Sequence, residues 1–143
     1  MDTLAITGSA LSAERLRLDV IASNLANAST TRTADGGPYR RRNVVFAPEP
    51  MDSEFGATLA SLSDDGARVG VTVQDVVEDQ SPLRMVYDPG HPDADKDGYV
   101  AYPNVNPVSE SVDLMAATRA YEANVQVVNA TRRMAEAALG IGG

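Results

Sequence analysis

The two ends of this chain carry long helical patterns, and everything between them is short and irregular. Residues 2–27 contain no proline, and Leu4, Leu11, Leu18 and Leu25 recur every seven positions, with Ile21 three after Leu18. This is a heptad seam, weakened early by Thr7 and Glu14 at the intervening positions. Asn27-Ala28-Ser29-Thr30-Thr31 then offers side-chain hydrogen bonds that compete with the helix and predict its end. At the other end Asn106-Pro107 supplies a cap followed by proline at the first helical position. Leu114, Ala117, Tyr121, Val125, Val128, Ala135 and Leu139 follow in steps of three, four and seven, and Gly140 reads as a stop. Neither stripe is wide enough for burial on all sides, so each helix needs the other or a neighbour.

The middle reads as β structure and loops. Ser29 to Arg42 is polar, with Gly36-Gly37-Pro38 as a turn and Arg40-Arg41-Arg42 as a basic run. Asn43 to Phe46 is a short strand candidate, and Pro48 to Asp65 is indeterminate. Val69, Val71 and Val73 alternate as a strand that continues toward Val77. Leu83 to Tyr87 and Tyr99 to Tyr102 are two more, with Asp88-Pro89-Gly90 ending the former. The expected class is therefore α+β: two long terminal helices, each needing the other or a neighbour, around a small, mostly β insert. The divisions are 1–28 and 106–143 for the helical core and 29–105 for the middle.

Composition narrows the function classes. The net charge of −8 opposes a general nucleic-acid surface, which needs clustered lysine and arginine. The acidity is local, since residues 51–98 hold eleven acids against three bases. The nearly neutral ends can therefore approach copies of themselves with little repulsion. Cysteine is absent, which removes disulfides, thiolate nucleophiles and thiolate zinc sites, and fits a chain that works outside the cytosol. No stretch reaches the roughly 20 apolar residues of a membrane span, and no cleavable signal is expected at residues 1–10.

Five local features stand out, most with a plainer reading beside them. Asp93, Asp95 and Asp97 before Gly98 resemble the first half of a calcium loop, but the twelfth position is Asn104 rather than a bidentate glutamate. An acidic turn is preferred, with a secreted calcium-dependent binding module as the alternative. His91, the only histidine, lies in a proline-dense turn and reads as exposed or turn-packed rather than as the base of a hydrolase. No catalytic, metal or cofactor-binding residue is expected. Arg40-Arg41-Arg42 either meets the acidic middle or is solvated. Gly8-Ser9-Ala10 reads as a close-packing position. Ser23-Asn24-Leu25-Ala26-Asn27-Ala28 is the sharpest signal: the two asparagines, three apart, either bond to the backbone of an adjoining segment or cap the helix.

Residues Leu16 to Thr31, with Ser23, Asn24, Leu25, Ala26 and Asn27 as the motif, resemble the N-terminal signature of the bacterial flagellar rod, hook and hook-associated proteins. Several segments are similar to the proximal rod members of that family: Thr30 to Thr33, Gly36 to Arg41, Tyr87 to Asp95, Gly98 to Val100, Tyr102 to Val108 and Arg119 to Asn124. Only about residues 50–67 lack a recognisable motif. The resemblance implies a structural subunit of the basal-body rod that pairs its long terminal helices as an antiparallel coiled coil and stacks with other rod subunits and with copies of itself. It also implies passage through the flagellar type III export apparatus without a cleaved signal, and a periplasmic rod that acts as a hollow drive shaft beside adjoining basal-body components. Leu4, Leu11, Leu18, Ile21, Leu25, Leu114, Tyr121, Val125, Val128 and Leu139 are the expected packing and assembly residues. The helices are expected to order only on assembly, and the β insert to be the better protected part of a monomer.

Overall fold

A computed structural model describes residues 2–50 and 69–141. Helix α1 spans Asp2–Ala26, followed by strands β1 (Arg42–Pro50), β2 (Val69–Glu78), β3 (Arg84–Tyr87) and β4 (Tyr99–Tyr102), and by helix α2 (Pro107–Ile141). The chain is α+β, with two helices and two small antiparallel sheets.

Helix α1 stops where the side-chain competition was expected. The Asn27 side chain donates to the carbonyl of Ser23 at 2.9 Å, and the Thr30 hydroxyl donates to the Asn27 amide oxygen at 3.1 Å. Helix α2 starts at its cap, where Asn106 Oδ1 accepts the Val108 amide at 3.0 Å. Its end differs from expectation, because the helix runs through Gly140 to Ile141. Glycine permits the left-handed turn of a helix stop but does not impose it, and Gly140 keeps a helical φ.

The first sheet pairs β1 with β2, from Arg42 opposite Glu78 to Pro50 opposite Val69, with a bulge between Val45 and Phe46. Strand β1 is longer than the Asn43–Phe46 segment expected, because Pro48 and Pro50 sit on it without breaking the ladder. The rest of the indeterminate stretch lies outside the described residues. The second sheet pairs β3 with β4, from Arg84 opposite Tyr102 to Tyr87 opposite Tyr99. Strand β3 starts at Arg84 rather than Leu83. A two-stranded hairpin is marginal by itself, and the first one leans on α1. There Ser9 Oγ accepts the Val71 amide at 3.1 Å and covers a donor on the edge of β2. Gly8, in contrast, faces open space and is not the close-packing position expected of it. Contact with the sheet comes one residue later, at Ser9.

Helices α1 and α2 pack against each other, with Asn24 near the end of α1 bonded to Glu110 near the start of α2. On α1 the buried positions are Thr7, Ala13, Ile21 and Asn24. On α2 they are Glu110 and Ala117, continued by half-buried Leu114, Tyr121, Val125, Val128 and Thr131. From Arg132 to Gly140 every residue is exposed. Among the described residues, the largest fully buried side chains are Glu110, Val100, Asn24 and Pro103. Two of these four are polar, so the helix junction is organised by hydrogen bonds more than by apolar bulk.

Candidate functional site

The junction is built around Asn24, which is 1% exposed and has every amide position used. Its Oδ1 accepts the backbone N–H of Arg42 and the hydroxyl of Tyr39, each at 2.9 Å. Its Nδ2 donates to the Arg42 carbonyl at 2.8 Å and to Glu110 Oε2 at 3.1 Å. A buried amide with all four bonds made carries no desolvation penalty for an unpaired group. Of the two readings left open for the paired asparagines, Asn24 takes the one across to another segment and Asn27 takes the local cap.

Glu110 is 0% exposed, and Arg41 Nε donates to its Oε1. The same guanidinium reaches Asp113 at 3.3 Å, so one planar donor fork holds two carboxylates one turn apart. The Arg41 backbone N–H donates to Asn104 Oδ1 at 2.8 Å, and Asn104 donates onward to the Asp79 carbonyl at 3.0 Å. The hub therefore ties α1, the loop before β1, the corner after β2 and the start of α2.

The basic run is answered within the chain, and by three different partners. Arg40 donates to the Asp79 carbonyl at 3.3 Å, and Arg42 pairs with Glu78 at 3.5 Å, both in the acidic middle. Arg41 turns the other way, to Glu110 and Asp113 on α2. Sequence reasoning missed Glu110, Tyr39 and Asn104. One signal was present: carried back from Leu114, the apolar stripe of α2 reaches an acid at Glu110, which requires a basic partner when buried.

The acidic turn is a structural loop held by its own carboxylates. Asp95 Oδ1 accepts the Asp97 amide at 2.9 Å and the Tyr99 amide at 2.8 Å. Asp93 accepts the Thr31 hydroxyl at 2.9 Å and pairs with Arg32 at 2.7 Å. His91 Nδ1 accepts the Asp93 amide at 3.1 Å. Gly98 is required there, because its φ is +83° and a Cβ would sit 2.8 Å from the Tyr87 ring.

The expected assembly residues divide into three groups. Ile21 is buried, while Leu11, Leu18, Leu114, Tyr121, Val125 and Val128 are half-buried. Leu4, Leu25 and Leu139 are exposed, Leu139 at 80%. At the end of α1 the interior position is Asn24, and Leu25, about 100° further round the helix, faces out. Of the rest of the motif, Ser23 lies 3.4 Å from the Tyr39 hydroxyl, Asn27 caps the helix and Ala26 is exposed.

Residues 4–32 match the family described as "Flagella basal body rod protein", and residues 96–141 match "Flagellar basal body rod FlgEFG protein C-terminal". The first match covers Asn24 and the second Glu110, so the hub joins the two matched segments. The flagellar basal-body rod protein FlgC of Borreliella burgdorferi is 46% identical over 97% of this chain and 95% of that protein. The chain belongs to the FlgC family of flagellar basal-body rod proteins. The FlgC of Bacillus subtilis is 46% identical over 98% of this chain and 96% of its own length. That of Salmonella typhimurium is 44% identical over 90% and 87%. This rod protein is thus a structural subunit of the basal body rather than an enzyme, and it assembles with other rod components. Among the described residues, no helix is long and apolar enough to cross a membrane.

Proposed function

We propose that the chain builds the proximal part of the rod, with α1 and α2 forming an antiparallel coiled coil that polymerises with other rod subunits and with copies of itself. On this reading residues 1–28 and 106–143 are the helical core and residues 29–105 the middle domain. The chain travels unfolded through the flagellar type III apparatus without a cleaved signal, and the finished rod is the hollow shaft that carries torque to the hook.

One observation carries the reading. The helices of a single copy leave Leu4, Leu16, Leu25, Met134 and Leu139 exposed, although α1 and α2 already contact each other. Apolar side chains left on two sides of a helix pair are what a polymer of packed helices covers. Interior and outward positions can therefore be separated by experiment. Leu25→Asp and Leu139→Asp should leave the thermal unfolding of the monomer within about 1 kcal/mol of wild type, yet abolish swimming and incorporation into basal bodies. Ile21→Asp should destabilise the monomer itself. Normal swimming with Leu139→Asp and Leu25→Asp together would refute assembly through these faces.

A further inference from the structure

Two apolar patches lie away from the seam of the terminal helices, one on α2 and one on the second sheet. The first is on α2, where Val108, Val112 and Met115 are 73%, 55% and 55% exposed and follow steps of four and three. Arg119 continues the same line, exposed and, among the described residues, in no ion pair. Both acids between Val108 and Arg119 are turned away: Glu110 is buried, and Asp113 is held by Arg41. The patch is thus an acid-free apolar stripe with a single cation, closed one turn further on by Glu122.

The second patch is on the β3–β4 hairpin. Val100 faces inward opposite Val86, so the flanking pairs Tyr87–Tyr99 and Met85–Ala101 share the other face. Met85, Tyr87 and Tyr99 are 54%, 64% and 44% exposed. The two tyrosine rings meet edge to face at 5.3 Å, and Gly98 gives Tyr87 its seat. These side chains are held in place before any partner arrives, which lowers the ordering cost of binding. The adjoining turn carries exposed Asp88, Asp95 and Asp97 against one exposed cation, Lys96, and among the described residues none of the four forms an ion pair.

We propose that the α2 stripe Val108–Val112–Met115–Arg119 of one copy docks on the Met85–Tyr87–Tyr99 face of a second copy of this chain. The inference rests on the rod-subunit reading and names one of its contacts. Charge selects the occupant: an arginine in an acid-free stripe complements exposed tyrosines beside a turn of net negative charge, through ion pairing and cation–π contact. Tyrosine, methionine and arginine are also the residues enriched at interface centres. Because the two patches differ, the contact is heterologous. Each copy keeps one patch free for the next, so the contact repeats head to tail as a ring or an open helix, and the rod reading requires the helix.

The absence of cysteine makes the test direct. Full-length Val112→Cys or Met115→Cys chains are mixed with Met85→Cys or Ala101→Cys chains and oxidised mildly, with exposed Asp35→Cys as the collision control. We expect at least one stripe–hairpin pair to cross-link about tenfold faster than the pairs with Asp35→Cys, and Arg119→Asp or Tyr87→Ala to remove most of that advantage. A chain carrying both Met115→Cys and Met85→Cys should give a ladder of multimers. Cross-linking no faster than the control, or dominated by Met115→Cys with itself, overturns the proposal. In parallel, tagged wild-type chain is tested for incorporation into basal bodies. Its failure there would sink the rod reading, whereas incorporation without the cross-link would sink only this contact.

Discussion

Asn24 holds Arg42 as a neighbouring strand would, accepting its backbone N–H at 2.9 Å and donating to its carbonyl at 2.8 Å. A helix side chain thereby supplies both partners to the first residue of β1, which is also the first rung of the β1–β2 ladder. The helix end and the sheet start are fixed by one amide group. The sheet cannot slide along α1 without breaking that pair and the Ser9–Val71 bond further along.

Replacing Asn24 should therefore cost more than its size suggests. Asn24→Ala leaves the Arg42 N–H and carbonyl, the Tyr39 hydroxyl and one Glu110 oxygen without their partner. Each buried unpaired group costs about 1–3 kcal/mol, and the pocket relaxes in part, so a total loss of about 3 kcal/mol is expected. Asn27→Ala, which removes only local capping bonds, should cost about 1 kcal/mol or less. Urea unfolding of the two variants checks the ratio. Equal losses would mean that Asn24 acts only as a cap.

The Arg41–Glu110 pair should show the asymmetry of buried ions. Glu110→Ala leaves Arg41 paired with Asp113 and should cost less than Arg41→Ala, which strands the buried Glu110 carboxylate and should cost about 3–5 kcal/mol. Arg41→Lys keeps the charge but cannot span Glu110 and Asp113 with one fork, so it should recover less than half of that loss. Replacing Arg41, Glu110 and Asn24 together by apolar residues of similar volume should destabilise far less than the sum of the single changes. A double-mutant cycle on Arg41 and Glu110 measures the coupling, and a coupling near zero would contradict the hub.

The parts that were legible and the parts that were not follow from range. The helix limits depend on neighbours in sequence: Asn106 and Pro107 cap α2, and the Asn27–Thr30 bonds end α1. The alternating valines of β2 were readable for the same reason. The hub was not. Asn24 and Glu110 are 86 residues apart, and three consecutive arginines choose three different partners. That choice depends on which side of the chain each residue leaves, and residue type does not encode it. The leucine heptad misplaced the end of the seam because it counted apolar residues, whereas the fully buried residue there is polar Asn24. The asparagine pair and the acid at Glu110 were visible, but only the fold brings them together.

Acid should loosen the corner between β2 and β3 through Asp79. The Ser81 hydroxyl and then the Ser81 backbone N–H donate to its carboxylate, and Arg41 and Arg40 add attraction, which together hold its pKa below the usual carboxylate value. A depressed folded value favours folding above the unfolded pKa, and that contribution is lost as pH falls through the folded value. Ser81→Ala should raise the Asp79 pKa toward its ordinary value, lowering stability somewhat at neutral pH and leaving it unchanged in acid, where the carboxyl is protonated in both states. An NMR titration of the Asp79 carboxyl carbon tests this, and an unmoved midpoint in Ser81→Ala would show that the hydroxyl bond is not the cause.

The last expectation concerns what order a single copy keeps before assembly. Fixing one residue's backbone costs about 1–2 kcal/mol, and an isolated helix without packing does not repay it. The repayment is uneven here. Near the junction, α1 and α2 share Asn24, Glu110 and Arg41, and the β1–β2 hairpin adds a second layer on α1. At the far end, Thr3, Leu4 and Ala5 of α1 are exposed, and so is every residue of α2 from Arg132 to Gly140. The hub also binds the start of β1 to both helices, so the middle strands and the junction should open as one unit. Amide exchange of a dilute, verified monomer should therefore show a gradient. Protection should be highest around residues 20–26, 42–46 and 110–117 and fall steadily toward both chain ends, with trypsin cutting first after Arg132 and Arg133. In the assembled rod the ends should become as protected as the junction, because neighbouring copies cover Leu4, Met134 and Leu139. Uniform protection out to Ile141 in the monomer would mean that the helical pair is stable without neighbours, and that the exposed leucines are not waiting for any.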